Sequence, residues 1–365
     1  MTRPIVITGA TGFLGWHVRV LARASGLPEP VLVDAADLRD EHRLASLLDG
    51  AGRVLHLAGV NRGEPAQVST GNADLARALA AGLAACGTPP KSVVFANSVQ
   101  AGNGSPYGDG KATAAQVLTE TTRWSGSVFH DLRLPNVYGE HGKPHYNSVV
   151  ATFCRVLADG DALRVHEDRE LDLVHATDAA AVLLGLTGEE ALRPVRRTVR
   201  QLADRLGHFA DRYRTGEIPE LTDRFDLGLF NTYRSHLFPA NTPLRLARHA
   251  DARGDLVEAV KAHGRGQTFY SSTRPGVTRG EHYHLSKVER FVVMRGHAEI
   301  RVRRVLHDDV LRFRVSGDEP CVVDMPTMWA HDITNVGRNE LLTIFWSNDI
   351  FDPDRPDTYR EVVAR

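Results

Sequence analysis

The sequence predicts an α/β domain with a parallel sheet covered by helices on both faces, followed by a smaller all-β domain. In the first third of the chain, short apolar runs alternate with helical patterns, which is typical of strand–helix–strand units in a parallel sheet. From about Leu244, short alternating segments are separated by Gly, Pro and Asp, as in an antiparallel barrel or sandwich. We place the boundary near residue 240, which predicts domains at residues 1–240 and 241–365.

The expected elements of the first domain are short and closely spaced. The strands span residues 4–8, 30–33, 53–57 and 92–96, and the helices span residues 13–25, 72–86 and 111–123. Residues 185–226 are charged and mostly helical in pattern. In the second domain the clearest strand patterns lie at residues 269–272, 291–294, 299–303 and 341–346.

Composition excludes several classes of protein. The 44 Lys and Arg residues balance the 45 Asp and Glu residues, and no long basic run is present, so we expect no nucleic-acid partner. The three cysteines, at 86, 154 and 321, form neither a disulfide framework nor a C-x-x-C metal pair. We therefore expect a reducing, cytoplasmic location. Since no signal peptide and no apolar run of roughly 18 residues occurs, we expect no membrane segment.

A glycine-rich turn, G-x-x-G-x-x-G, follows the first expected strand and opens the first expected helix. Free N–H groups and the dipole at a helix N-terminus bind a pyrophosphate, and we expect glycines to allow its close approach. The turn therefore predicts a dinucleotide cofactor, with contacts from Gly9, Thr11, Gly12, Phe13, Leu14 and Gly15.

The end of the second strand bears on cofactor choice. Asp34 stands where an acidic side chain accepts hydrogen bonds from the adenosine ribose and repels a 2′-phosphate, with Asp37 close behind. A solvated loop aspartate is the alternative interpretation. No Arg lies in the glycine turn, although Arg39 and Arg43 can fold back. We expect either NAD(H) or NADP(H) to bind, with NAD(H) preferred.

Three polar residues form a candidate catalytic set. Tyr107 and Lys111 have the spacing Y-x-x-x-K, which places them on one helix face, and Ser98 follows a buried strand. A nearby ammonium group lowers the pKa of a phenol, which suits it to proton transfer. The carboxyl ends of strands are where ligands bind in open α/β sheets. We expect Ser98, Tyr107 and Lys111 to be catalytic.

Histidines in the second domain have metal-ligand spacing. His282 and His284 lie two apart on an expected strand and share a face, with Glu289 on the paired strand and His331 on a distant one. Three imidazoles and one carboxylate suit zinc, nickel, manganese or iron. We expect a divalent metal, with zinc favoured, and a barrel without metal is the alternative.

The N-terminal segments resemble the extended short-chain dehydrogenases that modify nucleotide sugars, which have a Rossmann-type doubly wound sheet. The resemblance rests on the glycine turn, on Y-x-x-x-K, on the His-Leu-Ala-Gly turn at residues 56–59 and on R-x-P-N-x-Y-G at residues 133–139. It implies catalytic roles for Ser98, Tyr107 and Lys111. It also implies cofactor contacts from Leu57, Ala58, Gly59, Tyr107, Lys111 and Asn136.

The C-terminal segments resemble the two motifs of the cupin barrels. The first, G-x5-H-x-H-x4-E-x6-G, begins at Gly276, and the second, P-x-M-x2-H-x3-N, begins at Pro326, with Met328 replacing the usual glycine. The whole chain resembles the bifunctional reductase–epimerases of capsular polysaccharide synthesis, through residues 56–62, 143–153 and 351–359. Leu285 departs from that family, which tends to have a third histidine there. The family resemblance also favours NADPH.

The resemblance implies a nucleotide-sugar substrate of the UDP-2-acetamido-2,6-dideoxy-hexos-4-ulose type. It implies epimerisation at C3 by the cupin, with Tyr283, Lys287 or His284 as acid and base, followed by reduction at C4. We also expect a homodimer. One alternative is a monofunctional 4-ketoreductase whose cupin only dimerises. A second is a regulator that senses sugar nucleotides and has lost its catalytic activity. A third is the same chemistry on another sugar.

Overall fold

The structure is a computed structural model that describes residues 3–364, and its contacts divide the chain into two units. The first unit contains the chain up to Tyr138 together with His145–Ser148 and Glu170–Arg197. The second unit contains Gly139–Pro144, Val149–Arg169 and the chain from Thr198 onward. The units are interleaved along the chain, and the domain boundary near residue 240 stays a prediction.

The helices and strands of the described residues are numbered in chain order. The helices are α1 (Phe13–Ala24), α2 (Glu41–Leu48), α3 (Pro65–Ala85), α4 (Pro106–Ser125), α5 (Val149–Ala158), α6 (Ala176–Leu184), α7 (Val199–Arg214) and α8 (Arg224–Leu237). The strands are β1 (Ile5–Thr8), β2 (Val31–Val33), β3 (Arg53–His56), β4 (Ser92–Ser98), β5 (Val128–Leu134), β6 (Asn136–Tyr138), β7 (Glu170–His175), β8 (Val195–Thr198), β9 (Glu217–Ile218), β10 (Leu244–Arg245), β11 (Arg248–Asp251), β12 (Gly254–Val257), β13 (Lys261–Ala262), β14 (Gln267–Thr273), β15 (Thr278–Tyr283), β16 (Glu289–Arg295), β17 (His297–Arg304), β18 (Val310–Ser316), β19 (Cys321–Met325), β20 (Trp329–Asn335), β21 (Leu341–Ser347) and β22 (Tyr359–Arg360). Among residues 3–364, no helix combines the length and apolar character that a membrane span requires.

The first unit is built on a parallel sheet with the strand order β2-β1-β3-β4-β5. Thr8, at the end of β1, pairs with Val33 of β2 on one side and with His56 of β3 on the other. The chain therefore reverses its direction of winding at β1, and in such sheets ligands bind beyond the carboxyl ends of the strands at that point. This confirms the expected Rossmann-type doubly wound fold.

Apolar side chains explain why these strands and helices pack. Val6 and Val54 are fully buried in neighbouring strands, and Leu79 of α3 and Leu44 of α2 join them in one core. Burying a side chain of this size stabilises the fold by about 1.5–3 kcal/mol. Gly82 lets α3 approach α2 closely, because a Cβ at residue 82 would lie 2.6 Å from the Leu44 side chain of α2.

Two helices begin earlier than expected from the sequence. α3 begins at Pro65 rather than at residue 72, and α4 begins at Pro106 rather than at residue 111. Proline is favoured in the first turn of a helix because its missing N–H has no intrahelical partner there. In α4 the Ser105 hydroxyl also accepts a hydrogen bond from the Gly108 N–H at 3.0 Å. Tyr107 and Lys111 therefore lie on one regular helix.

Two five-stranded antiparallel sheets form most of the β part of the second unit, with the orders β10-β19-β16-β21-β14 and β18-β17-β20-β15-β22. Their inward side chains, including Phe291, Ile300 and Ile333, make one buried core. This double-sheet arrangement is that of cupins and other jelly rolls and confirms the expected cupin-type barrel. The observed β14, β16, β17 and β21 contain the four strand patterns expected from the sequence.

Met328 keeps the turn before β20 despite replacing the usual glycine. Its φ is +61°, in the left-handed region where glycine is preferred. The turn is held by hydrogen bonds from the Met328 N–H to the His284 carbonyl at 2.7 Å and from the Val305 N–H to the Met328 carbonyl at 3.0 Å. The Met328 side chain is buried, so its packing offsets the backbone strain.

Candidate active site and metal centre

The three glycines of the turn after β1 have different functions. Gly9 has φ +70°, and a Cβ there would lie 2.6 Å from the Ala58 nitrogen. A Cβ on Gly15 would lie 2.3 Å from the Gly9 carbonyl oxygen. Gly12 is less crowded and precedes α1 without a side-chain cap. Backbone packing therefore requires Gly9 and Gly15, and Gly12 stands at the free helix N-terminus. That the three glycines let a pyrophosphate approach stays a prediction.

The turn after β3 is held against this glycine turn. The Thr8 hydroxyl accepts a hydrogen bond from the Ala58 N–H at 3.3 Å and shares one with Nδ1 of His56 at 2.8 Å. Burial lowers the pKa of His56 to about 3, assisted by the charge of Lys111, so the ring is neutral. A Cβ on Gly59 would lie 3.7 Å from Nζ of Lys111. The structure thus brings residues 57–59 beside both the glycine turn and Lys111.

Asn72 is a supporting residue that the sequence did not reveal. Its side-chain oxygen accepts from the Val60 N–H at 3.2 Å, and its nitrogen donates to the Val60 carbonyl at 2.6 Å and to the Val68 carbonyl at 2.9 Å. Asn72 is buried in α3. It fixes the chain that leaves Gly59 and so positions the whole turn.

Backbone N–H groups of the acidic loop after β2 donate hydrogen bonds to the carboxylate of Asp34 in the same loop. One oxygen of Asp34 accepts from the Ala36 N–H at 2.7 Å and from the Asp37 N–H at 2.8 Å. These hydrogen bonds, that of Asp37 first, lower the pKa of Asp34. Nε of Arg43 donates to Asp37 at 3.4 Å. The loop is therefore anionic at Asp34, and Arg43 is directed to Asp37.

Ser98, Tyr107 and Lys111 meet at the carboxyl end of β4. Ser98 is the last residue of β4, and its side chain hydrogen-bonds Tyr107 one helical turn before Lys111. Nζ of Lys111 donates to the Ala96 carbonyl at 2.7 Å and lies 4.4 Å from the Phe95 ring centroid. It lies 6.0 Å from the Tyr107 ring centroid.

The pKa values of this set differ from the expectation that Lys111 lowers that of Tyr107. Burial raises the pKa of Tyr107, while its hydrogen bond to Ser98 lowers it. Burial rather than Lys111 therefore sets the direction of the shift in the pKa of Tyr107. Burial lowers the pKa of Lys111 to about 8, with Asp131 opposing the change. At neutral pH Tyr107 therefore keeps its proton, which suits a proton donor.

Asn97 and Asp131 form hydrogen bonds next to the Ser98, Tyr107 and Lys111 side chains. The Asn97 side chain accepts from the Ser98 N–H at 2.8 Å and donates to Asp131 at 2.6 Å. Asp131 lies on β5, a strand absent from the sequence-based expectation, so its proximity to Lys111 was not foreseen. Asn136, the remaining expected cofactor residue, is exposed at the start of β6, and its side chain donates to the Asp172 carbonyl at 3.1 Å.

The four expected metal ligands converge in the second unit. His282, His284, Glu289 and His331 each offer a ligand atom, and these atoms lie within 4.8 Å of one another. Nε2 of His284 lies 3.2 Å, and Nε2 of His331 3.5 Å, from the same Glu289 oxygen. Within residues 3–364, Nε2 of His331 is buried and makes no hydrogen bond. Such a nitrogen, aimed at a carboxylate among imidazoles, fits a divalent cation.

Hydrogen bonds behind the ligands orient two of the rings. Nδ1 of His284 donates to the Asp357 carbonyl at 2.5 Å, and Nδ1 of His331 donates to the Trp329 carbonyl at 3.1 Å. Each bond leaves Nε2 as the nitrogen with a free lone pair on the cluster side, which is the usual arrangement behind metal-bound histidines. The two residues therefore have the tautomer that metal binding requires.

The charges of the cluster also suit a cation. Burial first, and then the neighbouring His331 and His284, together lower the pKa of His282 to about 3. Burial raises the pKa of Glu289, but the adjacent imidazoles of His284 and His331 outweigh it and lower the pKa overall. At neutral pH His282 is therefore neutral and Glu289 ionised, so both can donate electron pairs to a metal.

The three candidate acids and bases of the barrel are placed differently. Tyr283 follows His282 as the last residue of β15, so its side chain takes the face opposite that of His282. Its ring centroid lies 5.4 Å from that of Tyr359. Nζ of Lys287 donates to the Pro356 carbonyl at 2.6 Å. His284 itself belongs to the ligand cluster.

Comparisons with known proteins agree with both halves of this geometry. The NAD dependent epimerase/dehydratase family matches residues 5–193, and the polysaccharide biosynthesis C-terminal domain matches residues 249–359. A Pseudomonas aeruginosa protein named UDP-2-acetamido-2,6-beta-L-arabino-hexul-4-ose reductase is 30% identical over 97% of each chain. The chain belongs to the NAD dependent epimerase/dehydratase family, in its branch of capsular polysaccharide reductase–epimerases. It is an NAD(P)-dependent oxidoreductase.

Solved structures support the same assignment. The capsular polysaccharide assembling protein CapF from Staphylococcus aureus is 32% identical, with a TM-score of 0.60, over 99% of this chain and 100% of its own. The UDP-N-acetylglucosamine 4-epimerase from Methanobrevibacter ruminantium is 18% identical with a TM-score of 0.53. It covers 66% of this chain and shows the fold alone.

Proposed function

We propose that this enzyme first epimerises C3 and then reduces C4 of a nucleotide 4-keto-6-deoxyhexose. The observation that carries the proposal is the presence, in one chain, of a Ser98–Tyr107 hydrogen bond beside Lys111 and of a four-residue cluster of metal-binding type. The name of the Pseudomonas relative favours a UDP-2-acetamido-2,6-dideoxy-hexos-4-ulose substrate.

The chemistry sets the order of the two steps. A ketone at C4 acidifies the C3 hydrogen, because the resulting anion spreads onto oxygen. Reduction at C4 removes that ketone, so epimerisation at C3 must come first. When bound, the nicotinamide cofactor supplies hydride, and the metal, which we propose to be zinc, supplies Lewis-acid polarisation.

In the first unit, Tyr107 donates its phenolic proton to the C4 oxygen as reduction proceeds. Its raised pKa keeps that proton in place at neutral pH. Ser98 orients the phenol, and Lys111 supplies positive charge and binds the nicotinamide ribose. Gly12 and the N-terminus of α1 hold the pyrophosphate, and Asp34 holds the adenosine ribose. Thr11, Phe13, Leu14, Leu57–Gly59 and Asn136 complete the proposed cofactor site.

In the second unit, His282, His284, Glu289 and His331 bind the metal. Proton transfer at C3 needs a base and an acid. Because Tyr283 takes the opposite strand face and His284 is a ligand, we propose Lys287 for one of these transfers. If the Lys287 ammonium group released the Pro356 carbonyl, it would be free for that role.

Product analysis tests this function. The purified chain is incubated with UDP- and dTDP-linked 4-keto-6-deoxy sugars, with and without a 2-acetamido group, and with NADH or NADPH. We expect a reduced product with inverted C3, identified by mass and proton NMR. A reduced product with the original C3 configuration would instead favour the monofunctional ketoreductase, and no turnover of any sugar would favour a regulator. The cytoplasmic location and the homodimer stay predictions, the latter testable by light scattering.

A further inference from the structure

The C-terminal segment of the chain packs directly on the proposed metal centre. β22 pairs antiparallel with β15, where Arg360 lies opposite His282 and Tyr359 opposite Tyr283. Beyond β22, Arg303 of β17 donates to Glu361 at 2.7 Å and to the Val363 carbonyl at 2.9 Å. The segment therefore forms part of the surroundings of the ligand strand β15, although Arg360 lies 78 positions after its partner His282.

Asp357, just before β22, binds the turn between two ligands. One carboxylate oxygen accepts from the Ser286 N–H at 2.9 Å, the Lys287 N–H at 2.8 Å and the Ser286 hydroxyl at 2.9 Å. The other accepts from the Leu285 N–H at 2.9 Å. Residues 285–287 are three of the four residues that connect His284 to Glu289, so one carboxylate fixes most of the path of the chain between them.

The backbone of Asp357 also forms a hydrogen bond with the ligand His284. Its carbonyl accepts the Nδ1 proton of His284 at 2.5 Å. The residue has φ +42°, a left-handed conformation that aspartate tolerates better than most side chains. Four hydrogen bonds to the side chain hold this backbone in place. The carbonyl that orients His284 is thus anchored by the carboxylate of the same residue.

We propose that Asp357 is a positioning residue of the metal centre, which holds His284 and the 285–287 turn in the geometry that binds the cation. This inference rests on the proposed metal site. Bonds from N–H groups to an ionised carboxylate are stronger than those to a neutral group. A ligand loop that is already ordered in the metal-free protein also loses less conformational entropy when the cation binds. Partners that orient ligands in this way typically contribute 10- to 100-fold to metal affinity.

The test compares Asp357→Asn with Asp354→Asn in the full-length chain. Both substitutions remove one carboxylate from the same segment, but Asp354 is exposed. In Asp357→Asn the amide NH₂ must face either the Leu285 N–H or the donors of Ser286 and Lys287. Affinity for cobalt(II) is measured by competition with a chromophoric chelator, and the visible spectrum is recorded at saturating cobalt.

We expect Asp357→Asn to weaken cobalt binding about 10- to 100-fold and to alter the spectrum at saturation, while Asp354→Asn matches the unmodified chain. Ser286→Ala, which removes one exposed hydroxyl from the same set, should weaken binding about threefold. It provides the same test if Asp357→Asn does not fold, and unchanged affinity in it would then reject the proposal.

Three results would overturn the inference. Affinities of Asp357→Asn and the unmodified chain within about twofold would show that Asp357 has no effect on the metal. Weaker binding with an unchanged saturated spectrum, and a matching loss of metal-free stability, would make its role only structural. Failure of the unmodified chain to bind cobalt or zinc would reject the metal site, and the proposed epimerisation with it.

Discussion

The Ser98–Tyr107–Lys111 site takes its side chains from one strand–helix connection, whereas the metal cluster takes its ligands from separate strands. Ser98 and Lys111 are 13 positions apart along the chain, at the end of β4 and in the first turns of α4. His282 and His331 belong to the paired strands β15 and β20 and lie nearly 50 positions apart, and Asp357 comes from still farther along. The first site needs one local connection to form, and the second needs most of the barrel.

This difference predicts how each site responds to damage. A substitution in the first site should abolish its chemistry with little effect on folding, because its backbone is already fixed by a helix and a strand. A substitution in the second should reduce both function and stability, because the cation joins segments that are distant in sequence.

Tyr107→Phe should lower the rate of C4 reduction by about 10²- to 10⁴-fold, the usual contribution of a general acid. Cofactor affinity should stay nearly unchanged, because the ring contacts no phosphate in the proposed site. Steady-state kinetics and cofactor titration measure the two effects. Tyr270→Phe, at an exposed position of β14, is the control. Retention of more than about a tenth of the rate would reject the role of Tyr107.

His331→Ala or His282→Ala should remove bound metal and leave reduction of a ketone substrate active. At a metal concentration 100-fold above the dissociation constant, losing the cation should lower the free energy of unfolding by about 2.7 kcal/mol. Elemental analysis and thermal unfolding measure these effects, with His249→Ala on the exposed strand β11 as the control. Full metal occupancy in both variants would contradict the assigned ligands, and loss of reduction would show that the two units are coupled.

The rate of reduction should decline above about pH 8, because burial lowers the pKa of Lys111 to about 8. Below that pH the ammonium group is charged and can bind the ribose, and above it the charge is lost, so kcat/KM should fall about tenfold per pH unit. Lys111→Arg, which stays charged, should be slower but should lose this decline. A flat profile for the unmodified enzyme up to pH 10 would count against the role of Lys111.

NADH should serve at least as well as NADPH, despite the family resemblance. The 2′-phosphate would meet Asp34, whose pKa is lowered by backbone hydrogen bonds, and Arg43 is directed to Asp37. Asp34→Ser should shift the preference toward NADPH by about tenfold in kcat/KM. A preference of the unmodified enzyme for NADPH above about tenfold, roughly 1.4 kcal/mol, would show that the loop does not act in this way.

The contrast also explains what the sequence could predict. The parallel sheet, the barrel and the cluster of His282, His284, Glu289 and His331 follow from periodicity and spacing, because each ligand motif is short and regular. The structure also brings Ser98 to Tyr107 as expected. The roles of these residues as ligands or catalysts stay predictions until the experiments above are performed.

Supporting residues could not be predicted, because their function depends on contacts that spacing does not encode. Asn72 and Asp131 have ordinary sequence contexts, and their importance lies in contacts such as those of Asn72 with Val60 and of Asp131 with Asn97. The direction of the shift in the pKa of Tyr107 was misjudged, because the sequence did not show that burial of the phenol raises it. Asp357 lay in a segment recognised by resemblance, but its contacts appear only in the folded chain.

Exchange of the C3 hydrogen in D₂O tests the central claim most directly, because it isolates epimerisation from reduction. The 4-keto sugar nucleotide is incubated without nicotinamide cofactor, and deuterium at C3 is followed by proton NMR. Our account predicts exchange at the unmodified rate with Tyr107→Phe and none above the uncatalysed rate with His331→Ala. Exchange that persists in His331→Ala, or that is absent from the unmodified enzyme, would contradict epimerisation at the metal centre.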